Sequence, residues 1–266
     1  MRITGPDVKA VTEVAYQQAR SGGGTETVRL PVGRLGVAAV PDGCDAVVVT
    51  GDLQGVAPSP WGGAPVLLGV ALADYLHVWA DQGLLPPPQR VVVVLAGDLY
   101  SSPRADRRGA SGEVDDVWLA FAAAGCPSVL GVAGNHDVVS ADDLRDLGPA
   151  ATLLDGTWVD HGGVRFAGVS GIVGDPHRPG RRSEGRQLAS IDAVLADRPD
   201  VLVLHEGPAG DGIGQAGNRA VGARLRAHAP ALTVCGHVHW DEPLARLGDG
   251  HILNVDGRVV LLTPAP

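Results

Sequence analysis

The stretch that decides the fold class is residues 91–100, with the sequence VVVVLAGDLY. An uninterrupted run of valines is typical of a strand that is buried on both faces, and Gly97-Asp98 marks its end. Four other apolar runs likewise end at polar residues, and they lie at 47–52, 129–137, 201–205 and 232–239. The sequence therefore predicts short buried strands whose ends carry polar side chains.

Segments with helical periodicity separate these strands. Ser140 is expected to cap one helix, because Asp143 follows three residues later, as in a capping box. We expect further helices over residues 64–82, 114–124, 184–196 and 218–228. An additional strand is expected at 164–170, and two or three antiparallel strands at 244–262. Apolar strands that alternate with helices indicate an α/β protein whose sheets are covered on their faces.

The N-terminal residues 1–44 are expected to form an extension packed on a main domain of residues 45–266. Within this extension, residues 6–20 favour a helix, since Pro6 suits a helix start and the apolar side chains share one side. Residues 26–40 contain short apolar stretches, which favour strands or a hairpin.

Charge and cysteine content restrict the functional class. The formal net charge is -9, which does not favour general binding to duplex nucleic acid or to anionic lipid. Three cysteines without a pairing pattern argue against a disulfide framework. The N-terminus has no apolar signal core, and no run approaches the ~20 residues that span a bilayer. We therefore expect a cytoplasmic protein with no membrane association.

The polar side chains at the five strand ends are carboxylates, one amide and imidazoles, namely Asp52, Asp98, Asn135, His205, His237 and His239. Since ligands of α/β sheets bind beyond the carboxyl ends of the strands, we expect these residues to meet at one rim. Oxygen and imidazole donors suit Mn, Fe, Zn, Ni or Co better than Ca or copper. An aspartate can bridge two cations ~3.5–4 Å apart, which would clamp a phosphoryl group and generate a hydroxide near neutral pH.

Two neighbouring residues are candidates for proton transfer. His136 follows Asn135 directly, which places it at the edge of the predicted metal site. An imidazole there can protonate a leaving oxygen, and Asp137 is the candidate for orienting the ring.

The polar strand ends also resemble the motifs of a known family. They are Gly51-Asp52-Leu53-Gln54-Gly55, Gly97-Asp98, Gly134-Asn135-His136-Asp137, His205 and Gly236-His237-Val238-His239. In this order and strand context, the set is similar to the motifs D-x-H, G-D, G-N-H-[DE], H and G-H-x-H of the calcineurin-like metallophosphoesterases. The resemblance implies a four-layer α/β/β/α sandwich that binds two metal ions.

The same resemblance implies a role for each candidate ligand. Asp52 and His239 would bind the first metal ion, and Asp98 would bridge both ions. The second ion would be bound by Asn135, His205 and His237. His136 would contact the phosphate or act as the general acid.

The first motif departs from the family pattern, because Gln54 occupies the position where the family has histidine. A glutamine can bind a metal through its amide oxygen, but it is a neutral and weaker ligand than imidazole. The first metal site is therefore expected to be weaker, differently populated or completed by water.

Candidate substrate residues flank the motifs. Arg104, Arg107 and Arg108 follow Asp98 and can grip a phosphate, although a solvated loop is the alternative in a sequence so rich in arginine. Trp61 follows the first motif and Trp240 follows the last. These tryptophans can stack on a nucleobase, or they can cover the open end of the core.

The sequence thus predicts a hydrolase of phosphate esters that uses a hydroxide held by two metal ions. Mn or Fe is expected, with Zn, Ni or Co as alternatives, and the substrate is expected to be a small nucleotide or another phosphodiester. The alternative is a weakly active or non-catalytic relative that senses a metal or nucleotide or binds a partner, and Gln54 is its only support. A protein phosphatase would require an open groove that accepts a peptide.

Overall fold

The computed structural model describes residues 1–265. These residues form five α-helices, which are α1 (Leu68–Asp81), α2 (Asp115–Ala123), α3 (Ala141–Asp146), α4 (Glu184–Ala196) and α5 (Arg219–Ala227). A 3-10 turn, Pro88–Arg90, precedes one of the valine strands. Within residues 1–265, no helix is long and apolar enough to cross a membrane.

The strands are numbered in chain order, and several of them are only two residues long. They are β1 (Lys9–Ala19), β2 (Thr25–Val37), β3 (Ala46–Gly51), β4 (Gly55–Ala57), β5 (Val66–Leu67), β6 (Val91–Leu95), β7 (Gly112–Glu113), β8 (Ser128–Gly131), β9 (Asp137–Val138), β10 (Ala151–Leu153), β11 (Thr157–His161), β12 (Val164–Val169), β13 (Ile172–Val173), β14 (Arg181–Arg182), β15 (Val201–Glu206), β16 (Leu232–Gly236), β17 (Leu244–Leu247), β18 (Gly250–Asn254) and β19 (Arg258–Pro264).

Two mixed sheets contain most of these strands. The nine-stranded sheet has the order β10-β8-β6-β3-β19-β2-β1-β4-β5, and its strands β10, β8, β6 and β3 run parallel. The six-stranded sheet has the order β11-β12-β15-β16-β18-β17, in which β12, β15, β16 and β18 run parallel. Parallel neighbours place their carboxyl ends at the same edge, so each sheet gathers several strand ends.

Three apolar cores explain why the strands are apolar on both faces. Within β6, Val91 and Val93 pack in one core with residues of α1 and α2, such as Leu72 and Trp118. The alternate valines of β6 pack in a second core with side chains of the six-stranded sheet. A third core joins the other face of that sheet to α4 and α5. The α/β class and the helices predicted between the strands are confirmed.

The helix predicted over residues 6–20 is wrong, because the segment contains strand β1. Val14 and Tyr16 of β1 are buried, and the residues between and beside them face solvent, so the strand period of two accounts for the pattern. The strands expected over 26–40 are confirmed by β2, which forms an antiparallel hairpin with β1. Both strands belong to the nine-stranded sheet that also contains β3.

The tail differs in part from its prediction. The strands β17 and β18 form an antiparallel pair in the six-stranded sheet, as expected. The last strand, β19, crosses to the nine-stranded sheet, where it lies antiparallel to β3 and parallel to β2. The link between β18 and β19 therefore passes between the two sheets at the strand ends that carry the predicted ligands.

The capping box at Ser140 is confirmed. The Ser140 Oγ accepts a hydrogen bond from the Asp143 backbone N–H, and the Asp143 carboxylate accepts one from the Ser140 backbone N–H. These bonds satisfy two backbone donors at the start of α3.

Candidate metal centre

Sharp turns place three of the predicted ligands directly after their strands. Asp52, Asp98 and His237 have φ angles of 52°, 53° and 69°. Residues other than glycine rarely adopt this left-handed conformation, and those that do cluster at functional sites. Each of these residues follows a glycine in the sequence, and the turn redirects its side chain away from the strand.

The motif glycines leave room for the ligand carboxylates. A Cβ atom added to Gly134 would lie 2.0 Å from Asp98 Oδ1, and one added to Gly236 would lie 2.1 Å from Asp52 Oδ2. These distances are far below van der Waals contact, so any larger residue would displace the carboxylates. The glycines of these motifs therefore allow acidic side chains to lie against the backbone of a neighbouring strand end.

The centre of the site contains Asp98, His205 and His237. Donor atoms of these three side chains lie within 4.8 Å of one another. The His205 and His237 rings meet edge to face, with centroids 5.1 Å apart. Residues from two different sheets thus bring carboxylate oxygen and imidazole nitrogen to one point.

Two buried polar atoms in this site have no hydrogen-bond partner, and they are Asn135 Oδ1 and His205 Nε2. The other ring nitrogen of His205, Nδ1, donates a hydrogen bond to the Ala96 carbonyl oxygen at 2.8 Å. Nε2 is therefore the ring nitrogen that can bind a metal ion. Since a buried polar atom without a partner is costly, a bound cation is the natural partner for both atoms. The residues present therefore fit a metal ion.

The negative charge around His205 also fits a bound cation. Burial alone would lower its pKa, but the carboxylates of Asp98 and Asp52 outweigh that effect and raise the pKa of His205 to about 10. His205 Nε2 lies 3.4 Å from Asp98 Oδ1. The metal-free site thus attracts a positive charge, and a metal ion would displace the proton.

The two oxygens of Asp98 face different neighbours. Oδ1 accepts a hydrogen bond from the His136 backbone N–H at 3.0 Å and lies on the His205 side. Oδ2 accepts a hydrogen bond from Gln54 Nε2 at 2.8 Å. Asp52 lies alongside, and its Oδ2 accepts a bond from the His237 backbone N–H at 2.9 Å. The Asp98 carboxylate therefore lies between two groups of candidate metal ligands, with His205 on one side and Gln54 on the other.

Gln54 and His239 lie at the more open part of the site. The Gln54 side chain presents its amide nitrogen to Asp98 and is partly exposed. The His239 side chain is 60 % exposed, and its Nδ1 lies 3.2 Å from Asp256 Oδ1. Asp256 was not predicted, although Asn254-Val255-Asp256-Gly257 also ends an apolar strand with polar residues and could have signalled it.

Asp137 does not orient the His136 ring, so that prediction is wrong. Its Oδ1 accepts hydrogen bonds from the backbone N–H groups of Leu99 at 2.8 Å and Tyr100 at 3.2 Å, and its Oδ2 accepts one from Gly134 at 2.8 Å. Both oxygens are therefore occupied in joining the turn after β6 to the turn after β8.

The His136 ring instead contacts Ser111. Ser111 Oγ lies 3.2 Å from His136 Nδ1, and the next residue, Gly112, donates its backbone N–H to the His136 carbonyl at 3.1 Å. Nothing in the local sequence of Ser111 marked it, because the contact depends on the pairing of β7 with β9.

A cleft of about 780 Å³ opens over the site. Its lining includes the predicted residues Asp52, Gln54, Asp98, His136, His237 and His239, together with Asp256. Two further groups of residues also line it. One group, Arg107 and Arg108, comes from the loop after Asp98, and the other comes from the β1–β2 hairpin, including Tyr16, Gln18 and Glu26.

The hairpin residues are joined to one another and to the first motif. The Tyr16 hydroxyl donates to Gln18 Oε1 at 3.1 Å, and Gln18 Nε2 donates to Glu26 Oε1 at 3.0 Å. The Tyr16 ring packs on Gly55, where an added Cβ atom would lie 2.3 Å from the ring. The hairpin therefore adds polar side chains to the cleft at a fixed position.

Three of the predicted substrate residues lie outside this cleft. Trp240 is buried, and its Nε1 donates to the Ala216 carbonyl at 2.7 Å, so it covers the core and cannot stack on a base. Trp61 is exposed but is not among the lining residues. Arg104 is also outside the lining, and its guanidinium pairs with Asp106 at 3.2 Å.

Comparisons with known proteins bear on the fold and on the family. The crystal structure of TT1561 of Thermus thermophilus is 17% identical, with a TM-score of 0.55, and the match covers 79% of this chain and 88% of that chain. A protein of unknown function from Aquifex aeolicus, AQ665, is 13% identical, with a TM-score of 0.36 over 81% of this chain and 95% of that chain. No curated protein sequence matches significantly. The family model described as calcineurin-like phosphoesterase matches residues 41–241, and the chain therefore belongs to that family.

Proposed function

We propose that this chain hydrolyses a small phosphodiester, such as a nucleotide, with the help of two metal ions. The observation that carries the proposal is a pair of buried atoms that can bind a metal and have no hydrogen-bond partner, Asn135 Oδ1 and His205 Nε2, beside the Asp98 carboxylate. Such atoms are exceptions among buried polar groups, and here two of them lie in one site. Membership of the calcineurin-like phosphoesterases supports a metal-dependent hydrolase.

The candidate metal ligands form two groups around Asp98. The first ion would be held by Asp52, Gln54 and His239, the second by Asn135, His205 and His237, and Asp98 would contact both. When bound, such ions lower the pKa of water and neutralise charge on phosphoryl oxygens. The ligand set fits Mn or Fe, with Zn, Ni or Co as alternatives, because it combines oxygen and imidazole donors without thiolate.

His136 would hold the proton for the leaving oxygen. Its backbone N–H is anchored on Asp98, and Ser111 contacts its Nδ1, so Nε2 is the ring atom left to face a substrate. The ring lines the cleft and is partly exposed, which gives it access to a bound ester. A histidine in this position can act as a general acid.

The cleft supports a small organic phosphate as the substrate. Its volume of about 780 Å³ lies in the range of ~300–1,000 Å³ that is typical of small-molecule sites. Arg107 and Arg108 place positive charge at the cleft of an otherwise acidic protein, where they can contact phosphate oxygens. Gln18 and Glu26 offer hydrogen-bonding groups for the organic part of a diester, such as a sugar hydroxyl.

A substrate panel with a histidine variant tests this function. Phosphomonoesters and phosphodiesters would be supplied with Mn²⁺, Fe²⁺, Ni²⁺, Zn²⁺ or Mg²⁺, and turnover compared between the wild type, His136→Ala and His228→Ala. His228 is the matched control, because it is exposed at the end of α5 and does not line the cleft. We expect His136→Ala to keep its metal content and to slow turnover by ~10²–10⁴-fold. Equal rates for both histidine variants would refute the role of His136.

Gln54 supports one alternative function, a metal-dependent sensor with little turnover. Its amide nitrogen donates to Asp98 Oδ2, and this bond occupies an oxygen that the first ion would use. Stoichiometric metal and nucleotide binding with no turnover on the whole ester panel would favour the sensor. Turnover that depends on metal would exclude it.

We also propose the layer order and the compartment. The three separate cores support the four-layer α/β/β/α order of the family, with helices outside two sheets. The three cysteines, Cys44, Cys126 and Cys235, are free, which supports a reducing compartment such as the cytoplasm.

A further inference from the structure

Asp256 occupies a fixed position beside the first metal site. Its backbone N–H donates to Asn254 Oδ1 at 3.1 Å, and the next residue, Gly257, donates its N–H to the Gly51 carbonyl at 3.2 Å. Asp256 also forms an isolated parallel bridge with Gly51. The backbone thus places Asp256 next to the turn that carries Asp52, independently of any contact made by its own carboxylate.

The carboxylate of Asp256 contacts the most exposed of the candidate ligands. Oδ1 lies 3.2 Å from His239 Nδ1, and the Asp256 side chain is only 19 % exposed, against 60 % for His239. A carboxylate can only accept from Nδ1–H, which fixes the ring tautomer and leaves Nε2 as the atom that can bind a metal. Asp256 lines the cleft together with Asp52 and His239.

Asp241 provides a comparison for this contact. Its Oδ1 lies 3.9 Å from His239 Nε2, on the opposite ring nitrogen, and its side chain is fully exposed at 101 %. An exposed carboxylate at this distance contributes little, because solvent screens it. Asp241 therefore resembles Asp256 in charge and in proximity to His239 but lacks the fixed position.

We propose that Asp256 is a positioning residue for the first metal ion. It would fix the His239 tautomer so that Nε2 is the ring nitrogen that can bind the ion, and it adds negative charge beside a site in which Gln54 is a weak ligand. This role rests on the proposed function in one respect, since His239 must be a ligand. Asp256 lies outside residues 41–241, the part of the chain that the family model matches.

Gln54, which stands where the family has histidine, explains why the contact between Asp256 and His239 matters in this chain. Gln54 is a weak ligand and presents its amide nitrogen to Asp98, so the first ion depends on its remaining contacts with Asp52, Asp98 and His239. His239 is largely exposed, and without Asp256 its ring could rotate freely. Loss of such a supporting contact weakens metal binding by ~10–100-fold in known sites.

Metal titration of matched variants tests the proposal. Mn²⁺ would be titrated into metal-free wild type, Asp256→Ala, Asp256→Asn and Asp241→Ala, with stoichiometry measured by equilibrium dialysis and spin coupling by electron paramagnetic resonance. For Asp256→Ala we expect one site weakened by ~10–100-fold, the other unchanged, and the signal of isolated Mn²⁺ where the wild type shows a coupled pair. Asp256→Asn keeps an acceptor without the charge, so its affinity should fall between that of the wild type and Asp256→Ala.

The possible outcomes separate this role from the metal centre itself. The melting temperature of the metal-free variants should match the wild type, since the fixed position of Asp256 comes from its backbone. Two undisturbed sites in Asp256→Ala, equal weakening of both sites, or an equal effect of Asp241→Ala would each overturn the role of Asp256. Wild-type protein that binds no stoichiometric Mn²⁺ would overturn the proposed function, and this role with it.

Discussion

The substitution Gly236→Ala tests the close approach of Asp52 to a strand end, on which the proposed first metal site depends. An added Cβ atom would lie 2.1 Å from Asp52 Oδ2, and its next neighbour from any other residue, the Ala96 carbonyl oxygen, is 3.8 Å away. Gly236 does not have a positive φ angle, so alanine itself fits the backbone. Because Cβ contacts under 3.0 Å essentially never occur, the Asp52 carboxylate must move by about 1 Å.

This displacement sets the expected magnitudes. The carboxylate would lose its 2.9 Å hydrogen bond from the His237 N–H, and overpacking of this kind costs about 1–3 kcal/mol. For a chain of this size, that corresponds to a fall in Tm of roughly 2–5 °C. A ligand misplaced by about 1 Å is expected to lower kcat/KM by about 100-fold. An ion held by the proposed second set of ligands, Asn135, His205 and His237, should remain bound.

The assay combines calorimetry, Mn²⁺ stoichiometry and turnover of an activated diester. Gly185→Ala is the control, because its Cβ atom would meet nothing within 4 Å and the residue lies in helix α4. Because Gly185 lies in the first turn of the helix, alanine there should stabilise it by less than about 1 kcal/mol without a change in activity. Wild-type metal content, rate and Tm in Gly236→Ala would refute the close approach of Asp52 to this strand end.

Three further predictions concern the cleft and the bound ions. Arg107→Ala and Arg108→Ala should each raise KM by roughly 10–100-fold, since a hydrogen bond to a charged group contributes about 1.5–3 kcal/mol, whereas Arg104→Ala, outside the cleft, should change KM less than about twofold. Burial, together with Asp256 and Glu26, raises the pKa of Tyr16 from 10.0 to about 12, so the folded protein should lose stability as the pH rises through this interval. An ultraviolet difference titration should show this late phase in the wild type and not in Tyr16→Phe. Mn²⁺ at about 100 times its Kd should add about 2.7 kcal/mol to the free energy of unfolding, and an unchanged Tm after chelation would contradict a metal bound by the native state.

The sequence allowed much of the sheet framework to be predicted, because burial on both faces leaves a clear pattern. The valines of β6 pack alternately into two different cores, so no polar residue is tolerated between residues 91 and 94. The N-terminal strand β1 was missed for the opposite reason. Only Val14 and Tyr16 of β1 are buried, whereas Val8, Val11, Val14 and Ala15 have the spacing of one side of a helix and favoured the wrong element.

The candidate ligands could be predicted because each one ends a strand, whereas their supporting contacts could not. Asp137 follows His136 in sequence, yet its carboxylate accepts hydrogen bonds from the backbone N–H groups of Leu99 and Gly134 and does not contact the His136 ring. Asp256 reaches His239 only because the chain leaves the six-stranded sheet after β18 and crosses to the nine-stranded sheet, where it forms β19. Position at a strand end therefore indicated the candidate ligands, and only the course of the backbone showed which groups contact them.

The site also links the two sheets. Asp52, Asp98 and Asn135 follow strands of the nine-stranded sheet, while His205, His237 and His239 come from β15 and the turn after β16 in the six-stranded sheet. Neither sheet alone supplies a complete set of ligands, so a bound ion would join the sheets at their carboxyl edge. The chain itself crosses between the sheets at Asp256, next to Asp52. The geometry of the candidate metal centre therefore depends on how the two sheets pack on their shared valine-rich core, and a change in that packing would alter the site without changing any candidate ligand.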